Sequence, residues 1–221
     1  MNQKSLIAEF VGTFALIFIG VGAIAADHVT GGKLGLTGIA LAHGLTIAVM
    51  VSATGAISGG HLNPAVTVGL LTAGKIDGKN AVGYIVSQCL GALAAAFLIT
   101  VIIPAETLRA VTWGTPAAGD GVGSLSVLLT EIVLTFFLVF VVYGTAVDKR
   151  APKVGGLFIG LTVALDILMG GPISGAAMNP ARHFGPAVFS GQLGLSWMYW
   201  LGPIAGAVLA AQIYKTQLED K

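Results

Sequence analysis

Charge is what this chain of 221 residues has least of. Asp, Glu, Lys and Arg together make up 10% of it, against about 25% in an ordinary soluble domain. The net charge of +1 leaves no electrostatic case for binding nucleic acid. A single cysteine, Cys89, excludes an intramolecular disulfide and a cysteine-based zinc site. It lies in an apolar run and reads as packing. No nucleophile–base pair and no cluster of metal ligands stands out, so the chain does not read as an enzyme, and no cofactor or metal is expected.

What the chain has instead is apolar length and glycine. Hydrophobic residues make up 55%, and 32 of the 221 residues are glycine, about twice the usual share of ~7%. Small residues suit tightly packed membrane helices. Six runs are long enough to span a bilayer, which takes roughly 18 apolar residues or more. They are Leu6 to Ala26, Leu36 to Ile57, Ala81 to Ile103, Leu125 to Val147, Val154 to about Met169, and Leu193 to Ile213. The first exceeds the ~7–15 residues of a signal-peptide core and carries Glu9 inside it. Pro104 to Gly123, rich in Gly, Pro and Ala, reads as the longest loop and divides the chain.

Two shorter stretches organise the rest. Ser58-Gly59-Gly60-His61-Leu62-Asn63-Pro64-Ala65 and Ser174-Gly175-Ala176-Ala177-Met178-Asn179-Pro180-Ala181 each run from Ser-Gly into Asn-Pro-Ala. Asn is a favoured N-cap, and Pro suits the first helical position because the N–H it lacks would be unpaired there. The apolar stretches that follow, Pro64 to Ala73 and Pro180 to Phe189, make helices of roughly 15 Å, about half a hydrocarbon core. Two such half-helices entering from opposite faces bring their positive N-terminal ends together near the midplane. That is the layout of a pore.

The halves repeat. Glu9 in Ala-Glu-Phe-Val-Gly-Thr-Phe matches Glu131 in Thr-Glu-Ile-Val-Leu-Thr-Phe, while Asn63 pairs with Asn179 and Gly91-Ala92 with Gly206-Ala207. Each copy, roughly 1–110 and 111–221 of a single domain, holds three spans with a half-helix after the second. Three is odd, so the second copy is expected upside down in the membrane. Eight cationic residues (Lys4, Lys75, Lys79, Lys149, Arg150, Lys153, Lys215 and Lys221) then fall on one side, with only Lys33 and Arg109 in loops on the other. The positive-inside rule makes the first side, with both termini, cytoplasmic.

Ionisable residues at membrane depth are costly and usually functional. Glu9 and Glu131 read as braces for the non-helical segments ahead of the half-helices, whose backbone groups must find partners. A proton relay is the rival reading, but no further carboxylates link the two. Each Asn caps its helix through its oxygen, leaving the NH₂ free to face the lumen and orient water. Arg182 sits in the first turn of the second half-helix, where a cation opposes the dipole. Its repeat partner is Val66, so the charge marks one half of the pore, and the orientation puts it at the outer mouth. His61 reads as a loop brace. His43 reads either as pore lining or as a core histidine bonded to a backbone carbonyl. Asp166 and His183 have no assigned role.

Paired Asn-Pro-Ala motifs, inverted three-span repeats and Arg182 resemble the aquaporin, or major intrinsic protein, family over essentially the whole chain. The resemblance implies an all-α membrane fold of six spanning helices and two half-helices, a pore in every subunit, and a homotetramer in the lipid bilayer. It places the constriction at His43, Ile167, Ala176 and Arg182. Leu41-Ala42-His43-Gly44 and the segment from Leu165 to Pro172 are similar to the tonoplast intrinsic branch, although Asp166 stands where Asn is usual there and the long loop carries no His. Ile167 and Ala176 are smaller than the bulky alternatives in the family, so the opening is expected to be wider than a strict water filter. The expected function is passive permeation of water, with small uncharged solutes such as ammonia, and exclusion of protons and ions. Channels mainly for ammonia, urea, glycerol or hydrogen peroxide are the alternatives within that class, and an ion-coupled secondary transporter the alternative outside it. The cell membrane is the expected location.

Overall fold

Each long apolar run becomes a helix, because at membrane depth only a helix satisfies its own backbone. The computed structural model describes residues 2–151 and 154–219; Lys153 and Lys221 of the cationic count lie outside them. The elements are α1 (Gln3–Val29), α2 (Gly35–Ser58), α3 (Pro64–Thr72), α4 (Gly78–Ile102), α5 (Ala105–Ala110), α6 (Ser124–Val142), α7 (Gly155–Ser174), α8 (Pro180–Ser190) and α9 (Ser196–Ile213). Among the described residues six helices are long and apolar enough to cross a membrane, and there is no strand. The half-helices α3 and α8 begin at the two Asn-Pro steps, with Asn63 and Asn179 as N-caps.

Two boundaries differ from the sequence expectation. The fifth span does not stop near Met169 but continues through Pro172 to Ser174. Proline removes one backbone donor, yet an early helix end here would leave several groups unpaired at depth. The helix stops instead at Gly175, whose left-handed φ of 78° lets its N–H bond back to Gly171. Gly59 closes α2 in the same way at φ 90°. The long loop is also not irregular throughout, since it contains α5 and a 3-10 turn, Thr112–Gly114.

Small residues set how closely the helices cross. α1 packs on α4, α6 on α9, and α2 on α7. A Cβ built on Gly160 would overlap the Gly44 carbonyl oxygen, and one on Gly206 would overlap that of Ile132. Backbone therefore meets backbone at these crossings, as membrane packing favours. Gly160→Leu is expected to force α2 and α7 apart and to destabilise the protein by about 1–3 kcal/mol or more. The check is the unfolding midpoint in detergent; an unchanged midpoint would show that the crossing carries little of the stability.

Candidate functional site: a pore between two half-helices

The segments entering α3 and α8 are built alike. Leu62 and Met178, each next to its capping Asn, both hold φ 50°, a left-handed conformation that bulky side chains seldom adopt. Buried carboxylates hold them there. Glu9, with no exposed surface, accepts from Ser58 Oγ (2.6 Å), His61 N (3.0 Å), Leu62 N (2.6 Å) and Gln88 Nε2 (2.7 Å). Glu131, equally buried, accepts from Ser174 Oγ (2.7 Å), Ala177 N (2.9 Å) and Met178 N (2.7 Å). Neither carboxylate lines the cavities described below.

The left-handed turn at Leu62 and Met178 aims each carbonyl at the opposite half. Asn63 Oδ1 accepts from Ala65 N at 2.8 Å, while its Nδ2 donates to Met178 O at 2.8 Å. Asn179 Oδ1 accepts from Ala181 N at 3.0 Å, and its Nδ2 donates to Leu62 O at 3.0 Å. The expectation of free amide groups therefore needs correction. An NH₂ has two hydrogens, and one of each pair ties the half-helices together. Only the other remains for the lumen, into which both asparagines face.

Three spaces follow one another through the molecule. Ile24, Leu36, Val111 and Pro116 are among the walls of a vestibule beside the 112–114 turn, called outer, and its opposite inner, after the orientation expected from the cationic residues. Leu16, Val163, Asn63 and Asn179 are among those of a central cavity, and Leu70, Lys75 and Ala146 help to line an inner vestibule. The residues common to the outer vestibule and the central cavity are His43, Ile167, Ala176 and Arg182. Val66 and His61 lie where the central cavity meets the inner vestibule. His61 Nδ1 also bonds Thr67 Oγ1 at 3.1 Å, which ties it to the first turn of α3.

Arg182 is held by two contacts. Its Nη1 donates to Gly114 O at 2.8 Å and its Nε to His43 Nε2 at 3.3 Å. It makes no ion pair among the described residues. For His43 Nε2 to accept, the ring proton must sit on Nδ1, which lies 2.9 Å from Ile39 O and donates to it. The two readings of His43 are thus both present in one geometry, a histidine bonded to a backbone carbonyl that also lines the pore.

Gly114 had no signal in the sequence as a site residue. Thr112, Trp113 and Gly114 all have positive φ (48°, 53° and 63°), and this run turns the Gly114 carbonyl onto Arg182. Two residues without an assigned role now have places. His183 is fully buried, stacks on Tyr199 with ring centroids 4.1 Å apart, and has Nδ1 3.4 Å from Ser196 Oγ. Asp166 is buried beside Ile167 but lines none of the three spaces, and its Oδ2 has no hydrogen-bond partner among the described residues. At the inner end Arg150 hydrogen-bonds Asp148, holding that carboxyl below its usual range, and Lys75 pairs with Glu219 at 2.5 Å. Among the described residues no group of three His, Cys, Asp or Glu could hold a metal ion.

Comparison with known proteins places this geometry. The family model described as "Major intrinsic protein" matches residues 1–214. The chain is 46% identical over 221 residues to aquaporin TIP4-4 of Zea mays, covering 96% of this chain and 85% of that one. It is 42% identical over 212 residues to aquaporin NIP1-3 of Oryza sativa subsp. japonica, covering 96% and 72%. Among solved structures, the aquaglyceroporin from Plasmodium falciparum superposes with a TM-score of 0.87 at 25% identity, covering 97% of this chain and 96% of that one.

Proposed function

The chain belongs to the major intrinsic protein family, and on that premise we propose that its pore admits water and somewhat wider uncharged solutes, ammonia among them, while excluding protons and ions. The protein is a passive membrane channel for water and small solutes and not an enzyme. The observation that carries the finer reading is the ring of four residues shared by the outer vestibule and the central cavity. Ile167 cannot hydrogen-bond and Ala176 is small, so the ring has one apolar wall and one open side. His43 has both nitrogens engaged. A passing solute is therefore met by the remaining Arg182 donors and by backbone carbonyls.

Ion exclusion follows from the centre. The N-termini of α3 and α8 present positive dipole ends there, and the two asparagines add donors. A water that accepts from both turns its hydrogens outward, which interrupts a proton wire, and the dipoles repel cations. Glu9 and Glu131 serve as braces in this reading. We place both termini in the cytoplasm, from the cationic residues at the α1 start, the α6 end and the α9 end, and the chain in the cell membrane as a homotetramer of inverted repeats.

The test is flux of water, ammonia and urea through proteoliposomes, normalised to inserted protein. Wild type is expected to pass water and ammonia. The double variant His43→Phe with Ile167→His adds a donor and an aromatic wall, and is expected to keep water flux within about threefold while losing ammonia and urea flux by about tenfold or more. A wild type impermeable to ammonia and urea would overturn the width argument; an unchanged double variant would move the constriction elsewhere.

A further inference from the structure

Leu16, Gly20 and Ile24 are spaced four apart on α1 and share one face. Leu16 lines the central cavity and Ile24 the outer vestibule. Gly20 therefore stands between the two spaces, level with the residues they share, and it is buried. The gap left by its missing side chain is filled by the His43 imidazole. A Cβ built on Gly20 would land on Nε2, with Cδ2 only 2.6 Å and Cε1 2.9 Å away, far inside the ~3.5–4 Å of ordinary carbon contact.

We propose that Gly20 is a specificity-determining residue of the constriction, which acts by letting the His43 ring recess against the α1 backbone and so sets the opening from behind. The ring is pinned in the recess by Nδ1–H to Ile39 O and by Nε2 accepting from Arg182 Nε. A side chain at position 20 takes the place of Nε2. The ring then has to turn about its Cα–Cβ bond, away from α1 and into the space it borders between the central cavity and the outer vestibule. Arg182 loses one of its two acceptors and keeps the Gly114 carbonyl. The opening narrows while the cation that bounds it becomes less well aimed. Gly20 touches no solute and is a positioning residue, its effect passing wholly through His43.

This inference rests on the reading of His43 as part of the constriction, so the experiment separates the two. Water, ammonia and urea fluxes are measured in proteoliposomes for wild type, Gly20→Ala, His43→Ala and the double variant Gly20→Ala/His43→Ala. Gly20→Ala is expected to lower water flux by about threefold or more and the wider solutes by about tenfold or more, as a smaller pore diameter does. In the His43→Ala background there is no ring to displace, and Gly20→Ala is expected to change nothing. Wild-type flux and selectivity in Gly20→Ala would overturn the proposal, as would an equal loss in the His43→Ala background, which would mark a general packing defect. If Gly20→Ala does not insert, the double variant decides: insertion and flux equal to His43→Ala support the proposal, and lower flux overturns it. Wild-type flux and selectivity in His43→Ala would instead sink the reading of His43 as part of the constriction.

Discussion

Glu131→Ala is expected to leave little or no correctly folded protein. The carboxylate has no exposed surface and accepts from one hydroxyl and two backbone N–H groups, Ser174 Oγ, Ala177 N and Met178 N. Alanine strands all three donors in the membrane interior. At about 1–3 kcal/mol for each unmade bond the loss totals roughly 3–9 kcal/mol, a large part of the ~5–15 kcal/mol that holds a typical domain together. The left-handed turn at Met178 also loses what pins it, and with it the carbonyl that Asn63 reaches across to. Glu131→Gln keeps one acceptor oxygen but sets an NH₂ against a backbone N–H, so an intermediate loss is expected. The measurements are the monodisperse yield and unfolding midpoint in detergent. A midpoint within a few degrees of wild type for Glu131→Ala would show that the segment holds itself without the brace.

Arg182→Val presents the opposite case, a large functional effect with a small structural one. Valine restores the symmetry with Val66 and removes the only fixed charge in the shared ring. The partners left behind, Gly114 O and His43 Nε2, border the outer vestibule, where water can replace the lost donor. Stability is therefore expected to change little, since buried polar groups are costly only when nothing pairs with them. Relieving a cation at a helix N-terminus adds about 0.3–1 kcal/mol in the variant's favour. Permeability to urea and glycerol is expected to rise by about tenfold or more, with measurable cation leak, while water flux persists. Solute fluxes and conductance on one liposome preparation check this. A variant as selective as wild type would reduce Arg182 to a tie between α8 and the 112–114 turn.

How far the pore was legible in the sequence depends on the range of the interaction concerned. Asn63-Pro64 and Asn179-Pro180 are local signals, because a cap and a first-turn proline act within three residues of each other. Glu9 and Glu131 were legible for another reason: a carboxylate inside an apolar run needs partners, and unpaired backbone donors were nearby in the expected topology. Their actual partners, down to Gln88 and the two serines, come from elements up to 79 residues away in sequence. No local signal announces them. Gly114 was invisible because its contribution is a carbonyl, which every residue has; what matters is the left-handed run that aims it.

The sequence by itself determined that there are six spans, where the two half-helices start and which polar residues lie inside the apolar runs. Hydropathy, capping and periodicity are properties of neighbouring residues in a solvent without hydrogen bonds. Tertiary structure alone decided that α7 runs on through Pro172, that Leu62 and Met178 turn left-handed, that each Asn amide gives one hydrogen to the opposite half, and that the His43 ring lies over Gly20. Each of these joins groups far apart in the chain, and each exists only because a buried polar atom or an empty space must be matched by whatever the fold brings beside it.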